Sequence, residues 1–256
     1  MPDFLFSYEN YTHMCREILN TKRLCDYADV PDGRASEFII LRHDVEFSPY
    51  RAYCLGGLEE KLGIASTFFF QVTNNAYNVL SKKNRTYIKA LSDMGHRIGL
   101  HFHLNGMTDL PQIEKQIRYE LTLLSDYLAL PVDRFSFHRP SPAVLKNTVK
   151  IPGVINAYAP GYFTYLEDGA AKPANMVKYI ADSKNCWQYT APYPYPCEQF
   201  FADFRQVQIL CHPYTWTNTG YDTLRNLQTL IEENRAEFID TLNSETKYVG
   251  GYLNEL

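Results

Sequence analysis

Asp44 and Glu46 are separated by one residue, and so are His101 and His103. On an extended backbone that spacing puts both side chains of a pair on one face. Zinc and related divalent ions take carboxylate and imidazole ligands, and a catalytic centre leaves one position open for water. An Asp with two His makes such a set, and the second carboxylate can then act as general base toward the water. Three further segments carry groups of the same kind: Phe137-His138-Arg139-Pro140, Asp182-Ser183 and His212-Pro213. An Arg at a strand end can hold a carboxylate bidentately and depress its pKa. Asp182 can orient a histidine and keep it protonated, and His212 can protonate a leaving amine. Each segment alone has an ordinary reading, such as a surface arginine, a capping aspartate or a core histidine. Five of them, each closing a β-like run, point to a site that collects residues from several strand ends.

The elements that must position these residues alternate. Tyr11, Met14, Cys15, Ile18 and Leu19 follow helical spacing, which predicts an N-terminal helix. Pro31-Asp32-Gly33 reads as a turn. Phe38 to Leu41 is a short apolar strand running into the first polar cluster. Residues 49–62 read as a helix with Ser48 at the N-cap and Pro49 at N1. Strands are predicted over 66–72, 97–103, 134–137, 153–158, 176–181 and 207–211. Helices are predicted over 84–94, 111–128 and, capped by Asp222, through Phe238. Residues 189–196, with three prolines, cannot be helix or central strand and read as an extended surface loop. Alternation of this kind implies a largely parallel sheet or barrel, whose sites sit at the carboxyl ends of the strands.

The chain has 256 residues and a formal net charge of −4, so no nucleic-acid footprint is expected. No run of 18 apolar residues exists, and a membrane span is not expected. Six scattered cysteines without a C-x-x-C pair argue against a disulfide framework. With no signal peptide in the first twenty residues, the expected location is cytoplasmic. The 20 tyrosines offer apolar faces with polar tips, which suit sugar rings; they also fit an ordinary tyrosine-rich core and surface.

In their order, the clusters resemble the polysaccharide deacetylases of the NodB-homology type, carbohydrate esterase family 4, over roughly Phe38 to Trp216. The family's Thr-Phe-Asp-Asp motif looks like Leu41-Arg42-His43-Asp44-Val45-Glu46 here. Gly95-His96-Arg97-Ile98-Gly99-Leu100-His101 matches the lead into the family's His-x-x-x-His motif. Arg139 matches an Arg that contacts the base, Asp182 and Trp187 match the fourth motif, and Ile209-Leu210-Cys211-His212-Pro213 is similar to Leu-x-x-His-Pro. The resemblance implies an α/β fold, a distorted (β/α)7 barrel, expected as one domain over 1–256 with 1–36 as a helical extension. It also implies a divalent metal, zinc foremost, with cobalt or nickel as alternatives, held by one Asp and two His.

Two positions depart from the pattern: Val45 stands where the family has its second Asp, and Asn105 where it has its second His. The shared-face argument makes Glu46 and His103 the replacements. The expected metal set is therefore Glu46, His101 and His103, with Asp44 as ligand or base. Arg139 tunes the carboxylate and His212 is the acid oriented by Asp182. The expected substrate contacts are His43, His138, Trp187, Tyr193, Tyr214 and Trp216, with Tyr162, Phe163 and Tyr195 also near the sugar. The implied reaction is removal of an N-acetyl or N-formyl group from an amino sugar of a bacterial surface glycan or its precursor. Competing expectations are a metal-free ureide hydrolase of the same fold, a barrel of the amidohydrolase type, and a glycan-binding protein on a decayed scaffold.

Overall fold

The structure, a computed structural model, describes residues 5–30, 37–166, 173 and 175–245; the predicted turn at Pro31-Asp32-Gly33 lies outside them. Seven parallel strands form one sheet: β1 (Phe38–Val45), β2 (Thr67–Phe70), β3 (Arg97–His103), β4 (Arg134–His138), β5 (Ile155–Asn156), β6 (Lys178–Ala181) and β7 (Gln206–Cys211). Their order is β5-β4-β3-β2-β1-β7-β6. The helices are α1 (Tyr8–Asn20), α2 (Pro49–Lys61), α3 (Lys82–Asp93), α4 (Leu110–Leu128), α5 (Pro142–Lys146), α6 (Glu198–Asp203) and α7 (Thr223–Glu245). Short polar side chains start them: Ser7, Ser48, Ser81 and Asp109 each accept a backbone N–H in the first turn, which satisfies a donor the helix itself cannot. In α4 the stripe Ile113, Ile117, Leu121, Leu124 and Leu128 is buried, as its spacing predicts. The predicted strands at 153–158 and 176–181 shorten to two and four residues. The short helices α5 and α6 are too brief to show a period in the sequence. None of the described helices is long and apolar enough to cross a membrane.

β1 is buried along its whole length, and its two faces do different work. Ile39 and Leu41 pack with α1 and α2 residues, while Phe38 and Ile40 join Tyr27, Phe69, Ala157 and Val177 inside the curl of the sheet. The edge strands β5 and β6 are not hydrogen-bonded to each other among the described residues. Side chains bridge that seam instead. Tyr158, just beyond β5, lies 6.4 Å from the ring of Tyr179 on β6, and Phe163 packs edge-on to both. From β7, Gln208 donates to the carbonyl of Ala157 at 3.0 Å while accepting from Arg42 at 2.9 Å. The result is a curled (β/α)7 half-barrel, open along one side and plugged by Arg42, Gln208 and tyrosines.

The Gly-His-Arg-Ile-Gly segment turns out to be structural. Gly95 ends α3 at φ +96°, a conformation that favours glycine. A Cβ on Gly99 would sit 2.4 Å from Phe69 and 2.9 Å from Arg134. His96 enters a buried polar network behind β1. There Glu59 of α2 accepts from Tyr11, from Ser66 at 2.5 Å, and pairs with His43 Nε2 at 2.8 Å. His96 donates through Nε2 to the Gly56 carbonyl at 3.1 Å and accepts the Ser66 N–H at Nδ1. Burial would raise the Glu59 pKa, but His43 and His96 outweigh it and hold the carboxyl below its ordinary value. A group so depressed stabilises the fold above its unfolded pKa, roughly 4.3, and that contribution is lost as pH falls through the folded value. Glu59→Gln is therefore expected to cost about 3–5 kcal/mol near neutral pH, since it leaves one side of a buried pair uncompensated. Urea midpoints taken from pH 3 to 7 check this; a variant that matches wild type at pH 7 would show that the network contributes no net stability.

Candidate active site

The carboxyl ends of β1, β3, β4, β6 and β7 meet around a pocket of about 310 Å³. Asp44, on β1, points into the curl. Its Oδ2 accepts from Arg42 at 3.1 Å and its Oδ1 from Ser136 of β4 at 3.2 Å. Arg42 is fully buried. Its guanidinium lies 4.6 Å from the Tyr158 ring centroid and also donates to that hydroxyl at 2.8 Å. Alternate residues of one strand, Arg42 and Asp44, thus make an internal ion pair that fixes the carboxylate before any ligand arrives.

His101 faces the same space from β3. Its Nδ1 is 2.7 Å from Ser136 Oγ, and because that hydroxyl donates onward to Asp44, Nδ1 must carry the proton. The lone pair of His101 is then on Nε2, the tautomer that a second partner selects in metal-binding histidines. That Nε2 is 3.7 Å from Glu46 Oε1 and 3.2 Å from His138 Nδ1, while His138 Nδ1 is 2.9 Å from Glu46 Oε1. Among the described residues, Glu46, His101 and His138 are the group whose donors converge closely enough to hold a metal ion. Ligands 2.0–2.1 Å from a tetrahedral ion stand roughly 3.3 Å apart, so the three separations fit a divalent ion. Burial would raise the Glu46 pKa, but the neighbouring imidazoles, His138 Nδ1 at 2.9 Å foremost, and the charge of His212 hold it far below the usual carboxylate range.

His212 follows β7 and is buried beside the trio, with Nε2 3.8 Å from Glu46 Oε1. Its Nδ1 donates to Asp182 Oδ1 at 2.6 Å, and Asp182 also accepts the His212 N–H and, at 2.7 Å, the Trp216 indole N–H. Burial alone would lower the imidazole pKa; the Asp182 carboxylate overrides it and lifts the value to about 9. The raised value means that the stabilisation is complete below the unfolded pKa of roughly 6.5 and is lost as pH rises toward the folded one. In chelator-treated protein, the melting temperature is expected to fall between pH 6.5 and about 9, and Asp182→Asn should flatten that slope. Equal slopes in the two proteins would show that the pair does not titrate with folding.

The structure brings together Asp44, Glu46, His101, Arg139, His212 and Tyr214 around the pocket, with His138 against Glu46 and His101 and Asp182 directly beneath His212. It changes several expected roles. His103 is not in the converging trio: its Nδ1 accepts the Asn105 N–H at 2.9 Å and its ring stacks on His138 at 4.9 Å. His138 takes the place expected for it. Asp44 has its oxygens engaged by Arg42 and Ser136 and stands outside the trio. Arg139 makes no ion pair with either carboxylate; Arg42 does that instead. His43 points away from the pocket to Glu59, because odd and even residues of β1 face opposite sides. Trp216 supports Asp182 from below. Trp187 and Tyr195 line a different hollow beside α1, and Tyr193 donates to Asp203. Arg42, Ser136, Tyr158 and Tyr179 are the site residues that sequence reasoning missed. Arg42 and Ser136 were findable, since each sits two residues before a candidate on the same strand face.

No protein-family model matches the sequence, and no curated protein is similar to it. Solved structures are. A Streptococcus mutans CE4 esterase has 14% identity and a TM-score of 0.47, over 85% of this chain and 90% of its own. A chitin deacetylase from the fungal pathogen Colletotrichum lindemuthianum has 13% identity and a TM-score of 0.44, over 77% of this chain and 81% of its own. A CE4-family pseudoenzyme from Bacillus anthracis has 15% identity and a TM-score of 0.45 over 78% of this chain, which spans only 61% of that protein's length. The likeness is one of fold, and the reaction is read from this chain's own residues.

Proposed function

We propose that the pocket hydrolyses an N-acyl amide, acetyl or formyl, on an amino sugar of a bacterial surface glycan or its precursor. The observation that carries this is a single juxtaposition. A trio of donors suited to a divalent ion, Glu46, His101 and His138, stands at a pocket that two of them, Glu46 and His101, line together with a proton-bearing imidazole, His212. Zinc fits the donor set best, and cobalt or nickel would also be accepted. When bound, such an ion supplies a Lewis acid that polarises a carbonyl and lowers the pKa of a water.

The remaining work belongs to the chain. Asp44, anchored by Arg42 and Ser136, is the fixed carboxylate that takes a proton from the attacking water. His212 Nε2–H faces the pocket and gives its proton to the amide nitrogen as the C–N bond breaks, leaving a free amine and a carboxylic acid. Asp182 holds the imidazole in place for that transfer. Tyr158, Tyr179 and Tyr214 line the pocket and offer ring faces to a sugar.

The test joins metal content with turnover. Protein purified without chelator is analysed by plasma mass spectrometry, and the metal-loaded protein is assayed for acetate or formate release from N-acylated amino sugars. One zinc, cobalt or nickel per chain with acid release supports the reading. No retained ion after incubation with all three would sink it in favour of a metal-free hydrolase; metal and sugar binding without turnover would leave a binding protein.

A further inference from the structure

We propose that Arg139 and Lys184 form a clamp at the pocket mouth for an oxyanion, phosphate or carboxylate, carried by the substrate beside its acylated nitrogen. The inference rests on the hydrolase reading above and adds the substrate's charge. Both residues line the pocket, both are exposed, and neither forms an ion pair among the described residues. Every acidic group deeper in the site already has a cationic or hydrogen-bonding counterpart. Asp44 has Arg42, Asp182 has His212, and Glu46 has His138 at 2.9 Å and the protonated His212 at 3.8 Å, which an added divalent ion would only supplement. Among the described residues, then, neither positive charge at the rim has an acidic partner, and both stay open to one from solution.

The backbone supports the same conclusion. Arg139, at φ +49°, directly follows the trio residue His138, and Lys184, at φ +60°, comes two residues after Asp182. Left-handed backbone is costly for residues with a Cβ and persists where the surroundings hold it, as they do at some binding sites. Here it falls at the ends of β4 and β6, on the pocket's wall. Arg139 shares the pocket's lining with Glu46, His101 and Tyr214. A guanidinium matches phosphate or carboxylate bidentately, and an ammonium adds a point charge. With the site no larger than about 310 Å³, one monosaccharide would span the distance from the trio to the rim.

The test measures binding by calorimetry to the metal-loaded protein, with N-acetylglucosamine, its 1-phosphate and N-acetylmuramic acid as probes. Wild type is expected to bind at least one charged sugar about tenfold or more tighter than the neutral one, as charge-assisted hydrogen bonds imply. That ratio should shrink with added salt. In Arg139→Gln/Lys184→Gln it should fall to within about twofold, by the same arithmetic. Preference for the 1-phosphate would identify a phosphate source and preference for N-acetylmuramic acid a carboxylate source. Equal affinities in wild type, or a ratio unchanged in the double variant, overturn the clamp. Metal content at the wild-type level reports that the variant is folded. The two readings separate cleanly: charged-sugar binding without acetate release keeps the clamp and removes the hydrolase. Acetate release at the same rate from neutral and charged sugars, with equal affinities, does the reverse.

Discussion

Protein carrying His138→Ala is expected to lose its divalent ion, whereas His103→Ala should retain it. Both histidines close adjacent strands, and they sit side by side in register. Their ring nitrogens face different partners. His138 Nδ1 lies 2.9 Å from Glu46 and 3.2 Å from His101 Nε2, while His103 Nδ1 is engaged by the Asn105 N–H. Removing even a hydrogen-bonded outer partner of a metal ligand weakens binding about 10–100-fold, so losing one of three protein ligands should cost more than about 100-fold. Ser136→Ala belongs to the outer class, since it frees the His101 tautomer without removing a donor, and is expected to cost about 10–100-fold. Competition against a chelator, read through the visible spectrum of the cobalt form, gives all three affinities. Loss of metal in His103→Ala with retention in His138→Ala would return the ligand set to the one the sequence suggests and refute the site described here.

That contrast shows where the sequence stops being legible. The two-residue period of a strand predicts faces well: Arg42 and Asp44 share the inner face of β1, Glu46 just beyond its end turns the same way, and His101 and His103 close β3. The same rule, applied one step further, would have assigned His43 to the outer face, where it meets Glu59 rather than substrate. Which of two histidines on one face reaches a metal is set by the stagger of neighbouring strands and by loop contacts such as the Asn105 N–H. Neither leaves a trace in local spacing. The face of Arg42 was legible, but its burial was not. An arginine after an apolar run reads as the strand reaching solvent, yet here it is fully buried, compensated by Asp44, Gln208 and Tyr158 from three separate segments. Long-range compensation also built the Glu59 network from residues of α1, β1, α2 and the turns before β2 and β3. The short strands at the seam lack enough residues for a pattern, so side chains rather than a β ladder define that edge.

His212→Gln is expected to lower kcat by about 10²–10⁴-fold, the range that positioned general acids contribute, while the metal content stays at the wild-type level. Glutamine preserves a polar side chain but has no proton to surrender, so the leaving nitrogen must depart unprotonated or take its proton from water. The Asp182 carboxylate makes this imidazole an effective proton store: it lifts the pKa to about 9 in the metal-free site. A divalent ion held by Glu46, 3.8 Å from His212 Nε2, acts in the opposite sense, because a nearby cation disfavours the charged imidazole. The loaded enzyme should therefore show an alkaline limb in kcat that lies below the metal-free value, and His212→Gln should abolish that limb. Asp182→Asn is expected to move the limb further down, since it removes the charge that opposes the metal. Turnover in His212→Gln within a few-fold of wild type, at full metal occupancy, would remove His212 from the reaction and leave proton delivery to solvent.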